Sequence, residues 1–274
     1  MWYEMCSRIT YFLEALLMIR RWNVTVPELT GRQKRRAYVY LPESYKYDKE
    51  KHYPVLYMFD GHNVFFDDDA TYGKSWGMKD YMDYTQTQLI IAAVECNHSP
   101  DGGRLSEYCP FDFDMEDGMH IEGRGRQTMN WFVRFFKPYI DHHYRTIPDR
   151  EHTFIAGSSM GGLMSLYAVL KYNYVFGRAA ALSPSLWTNS DEAYKMIYTS
   201  KPAVPTIVYM DYGSEEMENR RAMFKAYGRA TSLLLDKKIM LNSRIVPYGD
   251  HSEASWEKQL PFFMGTLMYG MEDD

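Results

Sequence analysis

TFIAGSSMGGLMSLYAVLKY, from Thr153 to Tyr172, opens as a short apolar run, turns through Gly157-Ser158-Ser159-Met160-Gly161, and continues as an amphipathic helix. Leu163, Leu166 and Leu170 fall on one side of that helix. The spacing therefore predicts strand, tight turn, helix, with Ser159 at the centre of G-x-S-x-G. Small residues two before and two after the serine allow a turn so sharp that its backbone is strained and its hydroxyl stands proud of the sheet. The helix that follows aims unpaired N–H groups and its positive dipole end at the same spot, which favours a developing oxyanion. Ser158 is the weaker nucleophile candidate, because Ala156 and Met160 flank it where glycines would be needed.

Outward from this stretch, Trp22 to Val26 and Ala37 to Leu41 read as an antiparallel edge pair joined by a turn around Gly31. Tyr53 to Phe59 and Leu89 to Val94 are continuous apolar runs, as expected of strands buried on both faces of a parallel sheet. Ala179 to Leu182, Thr206 to Met210 and Ser243 to Val246 supply further strands, with helices over Asn219 to Leu235 and Ser255 to Met268. This alternation predicts a mostly parallel, doubly wound α/β sheet. Glu95 to Gln127 lacks periodicity, and a segment of that length reads as a functional loop walling a pocket. Asn130 to Tyr144 reads as a helix kinked at Pro138, with His142 and His143 at its end.

A chain of 274 residues can bury one large core, so residues 22–274 are expected to form a single catalytic domain and residues 1–21 an N-terminal extension outside the native fold, with Met18 as a candidate start. The apolar run Ile9 to Ile19 is interrupted by Glu14 and is too short to span a bilayer. With a net charge of -5 and a pI near 5.9, the chain offers no extended basic face for nucleic acid. The basic cluster Arg32, Lys34, Arg35 and Arg36 reads as solvated hairpin residues, and Asp112, Asp114 and Asp117 as a solvated acidic loop without calcium-loop spacing. Three cysteines, Cys6, Cys96 and Cys109, show neither metal spacing nor a disulfide framework, which points to a cytoplasmic protein.

A serine hydroxyl needs a general base, and the base needs an orienting carboxylate. In an open α/β sheet both come from loops at the carboxyl ends of strands. His251 lies just past the last strand and is the candidate base. Asp211, Glu215 and Glu216 crowd the end of the preceding strand; Glu216, beyond the glycine turn, is ranked first as the acid, Asp211 second and Glu215 third. The oxyanion donors are expected to be the N–H groups of Met160 and of His62, on the loop after the Tyr53 strand. No metal role is expected for His62, which has no ligand partner spaced nearby in sequence, and no cofactor is required.

With these residues assembled, the chain resembles the Putative esterase family of α/β hydrolases, which includes esterase D, enterochelin esterases, mycolyltransferases, and feruloyl and acetylxylan esterases. The resemblance runs from about Trp22 to Met268. It rests on YPVLYMFDGHNVF from Tyr53, Arg104 to Tyr108, FIAGSSMGGLMSLYA from Phe154, LSPSLW from Leu182, and YGDHSEASW ending at Trp256. It implies an α/β-hydrolase fold with Ser159 as nucleophile, His251 as base, Glu216 as acid where many relatives carry aspartate, and His62 and Met160 as oxyanion donors. The expected activity is hydrolysis of a small or carbohydrate-linked acyl ester, of acetyl or feruloyl type, with Arg104 and Trp187 as candidate substrate contacts and Trp76 and Tyr108 beside them. Two alternatives share the fold: a thioesterase of the S-formylglutathione hydrolase kind, and a binding protein that has lost the reaction.

Overall fold

The computed structural model describes residues 18–216 and 220–271. Residues 1–17, and with them most of the expected extension, lie outside the described residues. The strands are β1 (Ile19–Thr25), β2 (Lys34–Tyr40), β3 (Val55–Met58), β4 (Ile90–Val94), β5 (Phe113–Asp114), β6 (His120–Ile121), β7 (Thr153–Ser158), β8 (Arg178–Leu182), β9 (Ile207–Gly213) and β10 (Met240–Val246). Eight of them form one sheet in the order β1-β2-β4-β3-β7-β8-β9-β10; β5 and β6 make a separate hairpin. From β4 to β10 every neighbouring pair is parallel, while β1–β2 and β2–β4 are antiparallel. The fold is the expected α/β-hydrolase sheet with an antiparallel N-terminal edge.

Both faces of the sheet are covered, and the strand alternation shows how. Val55, Tyr57 and Ile155 point into one core with Phe132, Phe136 and Leu163, whereas Leu56, Met58, Phe154 and Ala156 point into the other with Trp76, Met82 and Phe263. Burial on both sides is why these strands are unbroken apolar runs. Trp76 and Tyr108 are core residues here, buried to 3% and 0% exposure.

Several expectations shift in detail. The edge strand begins at Ile19, not Trp22, so residues 19–21 belong to the sheet: Ile19 is buried opposite Tyr40, and Arg21 lies over the Phe66 ring. Two adjacent arginines in a half-exposed strand hid that start. Arg35 is not a solvated hairpin residue. Strand alternation turns it inward, where it meets Glu107 at 2.5 Å and ties β2 to the Glu95–Gln127 segment. That segment is not a bare loop, for it holds a helical turn at Gly103–Glu107 and the β5–β6 hairpin. The helix before β7 does break near Pro138, but through a π-helical stretch, Phe132–Phe136, in which the Lys137 N–H reaches Phe132 O. Proline offers no N–H for an α-helical bond, and the wider turn absorbs the mismatch.

β3 is the switch point: β4 lies on one side of it and β7 on the other, so the connections leave in opposite directions and open a crevice at the carboxyl ends. Ser159 follows β7 directly, with φ 57° and ψ −119°. Its N–H donates to Leu182 O at 2.9 Å, and its carbonyl accepts from Leu163 N at 3.0 Å and Ser185 N at 3.1 Å. A Cβ on Gly157 would meet the Gly161 backbone at 2.8 Å. Gly157→Ala is therefore expected to cost about 1–3 kcal/mol, read as a lowered urea midpoint. Gly228→Ala, on an exposed helix position with open space around it, should be neutral or stabilising by about 0.5–1 kcal/mol; equal effects at the two glycines would contradict the packing argument.

Candidate active site

The site is built where the ends of β3, β7, β8, β9 and β10 converge. Ser158 is paired opposite Leu182, Leu182 opposite Asp211, and Gly213 opposite Val246. Residues just past these positions therefore emerge side by side, although they are far apart in sequence. A cleft of about 440 Å³ lies there, lined by His62, Asn63, Cys96, His98, Arg104, Ser159, His251, Glu253 and Trp256 among others. Its size suits a small ligand.

His251 Nδ1 lies 2.9 Å from Glu216 Oε2. The carboxylate is buried to 3% exposure, and its other oxygen accepts from Ser183 Oγ at 2.5 Å and from the Gly213 N–H at 2.6 Å. Trp256 Nε1 donates in turn to Ser183 Oγ at 2.9 Å and packs edge-on against the His251 ring, centroids 5.0 Å apart. These contacts leave Glu216 aimed at the imidazole. Ser252 caps the short helix Glu253–Glu257 through the Ser255 N–H, which fixes the chain just after the histidine. Ser159 Oγ is 3.2 Å from Ser185 Oγ and opens on the same cleft as His251. Among the described residues no hydrogen bond joins Ser159 to His251; such bonds commonly close only when substrate arrives.

Asp211 takes the other role open to it. It accepts from the Ser183 N–H at 3.1 Å and from Tyr209 OH at 2.7 Å, so it braces the turn after β8 and does not reach the histidine. Burial pushes its carboxyl up to about 7, against the two hydrogen bonds that favour the charged form. Glu215 is exposed and stands beside Ser214.

The oxyanion candidates occupy the first turns of two helices, where N–H groups have no intrahelical acceptor. Met160 starts the helix Met160–Lys171, and His62 lies in the 3-10 turn Gly61–Asn63. The His62 side chain is buried, and burial lowers its pKa, which keeps the ring neutral. Asp60, just before, is held at φ 54°. Burial would raise its carboxyl, but the Arg104 guanidinium outweighs that and holds it below its ordinary range. Arg104 does reach the cleft, yet Nε and Nη2 are committed to Asp60 at 2.8 and 2.7 Å. Trp187 is not among the residues lining the cleft: its indole packs edge-on against Phe113 of the β5–β6 hairpin, half-exposed.

Sequence reasoning missed Ser183, Ser185, Asp60 and Glu253 as parts of this site. The Ser-Pro-Ser run after β8 was the available signal, since two small hydroxyls beside a proline at a strand end can bond to neighbouring turns. Spacing along the chain also did not show that Cys96 and His98 come beside His62 from the next strand; one ligand atom of each lies within 4.8 Å of the others.

An acid with a raised folded pKa binds its proton more tightly folded than unfolded, so its contribution turns unfavourable as pH climbs from near 4 through 7. Asp211→Asn keeps an acceptor for the Ser183 N–H and removes that charge. It should gain about 1–3 kcal/mol over wild type at pH 8 and little at pH 4, as read from urea midpoints. The same gain at both pH values would contradict the ionisation argument.

A sequence profile described as Putative esterase matches residues 30–266. YbbA of Bacillus subtilis (strain 168), an uncharacterized protein, is 26% identical over 191 residues, covering 69% of this chain and 72% of that one. An IroE-like serine hydrolase from Shewanella oneidensis superposes with a TM-score of 0.73 at 17% identity, over 93% of this chain and 81% of the other. A ferulic acid esterase superposes with a TM-score of 0.65 at 20% identity, over 91% and 96%. At these identities the structural likeness speaks for the fold.

Proposed function

The chain belongs to the Putative esterase family, and from that premise we propose that it hydrolyses carboxylic esters through an acyl-enzyme on Ser159. The observation that carries this reading is the 2.9 Å contact of His251 Nδ1 with a buried, doubly anchored Glu216 carboxylate, on the rim of the cleft that Ser159 enters from a strained turn. Nδ1–H donated to Glu216 leaves Nε2 as the basic nitrogen. His251 takes the Ser159 proton as Oγ attacks the ester carbonyl. The N–H groups of His62 and Met160 receive the charge that develops on the carbonyl oxygen; one such donor is typically worth about 3 to 4 kcal/mol in the transition state. His251 then protonates the leaving alcohol, and water repeats the sequence to free the acid. The buried Glu216 stabilises the imidazolium at both stages without taking its proton.

The substrate we propose is a small or carbohydrate-linked acyl ester. Support comes from the lining of the cleft, where Asn63, Thr71, Asn97 and Ser99 supply hydroxyl and amide groups, and from Tyr72, 82% exposed at its edge. Such groups suit a hydroxylated alcohol portion, and an exposed ring offers an apolar face on which a sugar or aryl group can rest.

Ser159→Ala should cut ester hydrolysis by at least about a thousandfold while leaving the urea midpoint near wild type, and mass spectrometry after fluorophosphonate treatment should find the adduct on Ser159 of the wild type. Retained activity in the alanine variant would remove the mechanism.

Glu216→Gln keeps the shape and one acceptor but cannot fix the imidazole in the required tautomer. Its kcat should fall by about a hundredfold to ten-thousandfold, with the smaller change in KM. Wild-type kcat in this variant would show that another group orients His251.

A further inference from the structure

His62, Cys96 and His98 form a cluster that the ester chemistry leaves without a use for their side chains. His62 stands on the turn after β3, and Cys96 and His98 on the segment after β4, the parallel neighbour of β3. The sheet register thus delivers all three to one end. One donor atom of each lies within 4.8 Å of the other two; Cys96 Sγ is 4.0 Å from His98 Nδ1, and the His62 and His98 rings meet edge to face with centroids 4.7 Å apart.

His62 is 4% exposed, and its two nitrogens differ. Nε2 lies 3.0 Å from Thr71 Oγ1, whereas Nδ1 is buried with no hydrogen-bond partner. A buried polar atom left unpaired is unfavourable, so a group that engages it is favoured. With its Nε2–H given to Thr71, the ring keeps a lone pair on Nδ1, and an outer hydrogen bond on the far nitrogen is the usual way a ligating imidazole is oriented. Two imidazoles and a thiolate are a donor set for a borderline ion of the zinc class. Zn–S and Zn–N bonds of about 2.3 and 2.0 Å put tetrahedral ligands about 3.5 Å apart, so Cys96 Sγ and His98 Nδ1 at 4.0 Å need to close by about 0.5 Å, and no pair of the set by more than about 1.3 Å. His98 is exposed, so its ring can shift toward the other two with little repacking of the core.

We propose that His62, Cys96 and His98 bind a divalent transition metal of the zinc class, with the fourth position facing the cleft that holds Ser159. Binding displaces the Cys96 thiol proton to solvent and involves no change of oxidation state. Three protein ligands leave that fourth position to water. On the esterase reading, on which this second step rests, the ion is an inhibitor: it occupies cleft volume next to Ser159 and pins the residue whose amide receives the oxyanion.

Cobalt(II) is the probe, titrated into the full chain. The wild type should take up one equivalent with a near-ultraviolet thiolate-to-cobalt charge-transfer band. Cys96→Ser should lose the band, and His98→Ala, at an exposed position that the fold tolerates, should bind at least about tenfold more weakly. No band in the wild type, or a band and affinity unchanged in both variants, overturns the site. Fluorophosphonate labelling of Ser159 without metal reports separately on the ester machinery: labelling with no cobalt band overturns the metal site alone. Zinc inhibition of the labelling that follows occupancy, and that His98→Ala weakens in parallel, supports the inhibitory role; full labelling at saturating zinc overturns that role.

Discussion

The backbone at Ser159 is the constraint on which the site depends. A non-glycine residue at φ 57° and ψ −119° stores about 1–3 kcal/mol of strain and persists only where its surroundings over-determine it. Three backbone hydrogen bonds do so here: one to Leu182 at the end of β8, one from Leu163 in the following helix, and one from Ser185 beyond the Ser-Pro-Ser turn. The turn after β8 therefore shapes the elbow as much as the elbow's own strand does. Ser183 shows the same economy, since its N–H is held by Asp211 and its hydroxyl by Glu216 and Trp256. One short loop links the Ser159 turn, the buried brace and the carboxylate that faces His251.

Two carboxylates near one strand end take different roles because their surroundings differ. The Glu216 side chain is 3% exposed, and its oxygens meet Ser183 Oγ, the Gly213 N–H and the His251 imidazole. Asp211 meets one N–H and one phenol, deep in the sheet, and its carboxyl is raised to about 7. The two direct partners of Asp211 are neutral, so desolvation of its charged form prevails, whereas Glu216 faces an imidazole. The extra methylene of glutamate lets the carboxylate start past the Gly213 turn and fold back over it, as the bond to the Gly213 N–H records.

The sheet was legible because burial on both faces writes continuous apolar runs, and the elbow was legible because only small residues fit around it: a Cβ on Gly157 would strike Gly161. Strand order pointed to His251 and to three carboxylates after β9, of which Glu216 is the one the fold brings against the imidazole. What stayed hidden shares one physical cause, which is proximity across strands. Arg35 reads as surface until Glu107 supplies its counter-charge from 72 residues away. His62 seems without ligand partners until β4 brings Cys96 and His98 beside it. Arg20 and Arg21 mask a strand whose inward residue, Ile19, is a single apolar letter ahead of two charges. Charged residues with long apolar stems can lie along a sheet edge, as Arg21 does over Phe66, and composition does not distinguish this from solvation.

Asp60 and Arg104 show how the loop after β3 can present a backbone N–H at a fixed point. A buried carboxylate in a left-handed conformation would be unfavourable alone, and breaking such a pair typically costs about 3–5 kcal/mol because the remaining charge is stranded. Arg104 answers it with two parallel bonds and lies with its guanidinium carbon 5.4 Å from the centre of the Tyr108 ring, while Tyr108 OH accepts from the Asp60 N–H at 3.2 Å. Gly61 then packs against β4, where a Cβ would meet the Val94 backbone at 2.8 Å. Asp60, two residues before His62, is thus clamped by charge, and the packing of Gly61 on the sheet limits how far the turn can shift. On the proposed esterase reading, an arginine that borders the cleft and gives Nε and Nη2 to Asp60 acts first through the position of the His62 amide, and only secondarily through contact with the substrate.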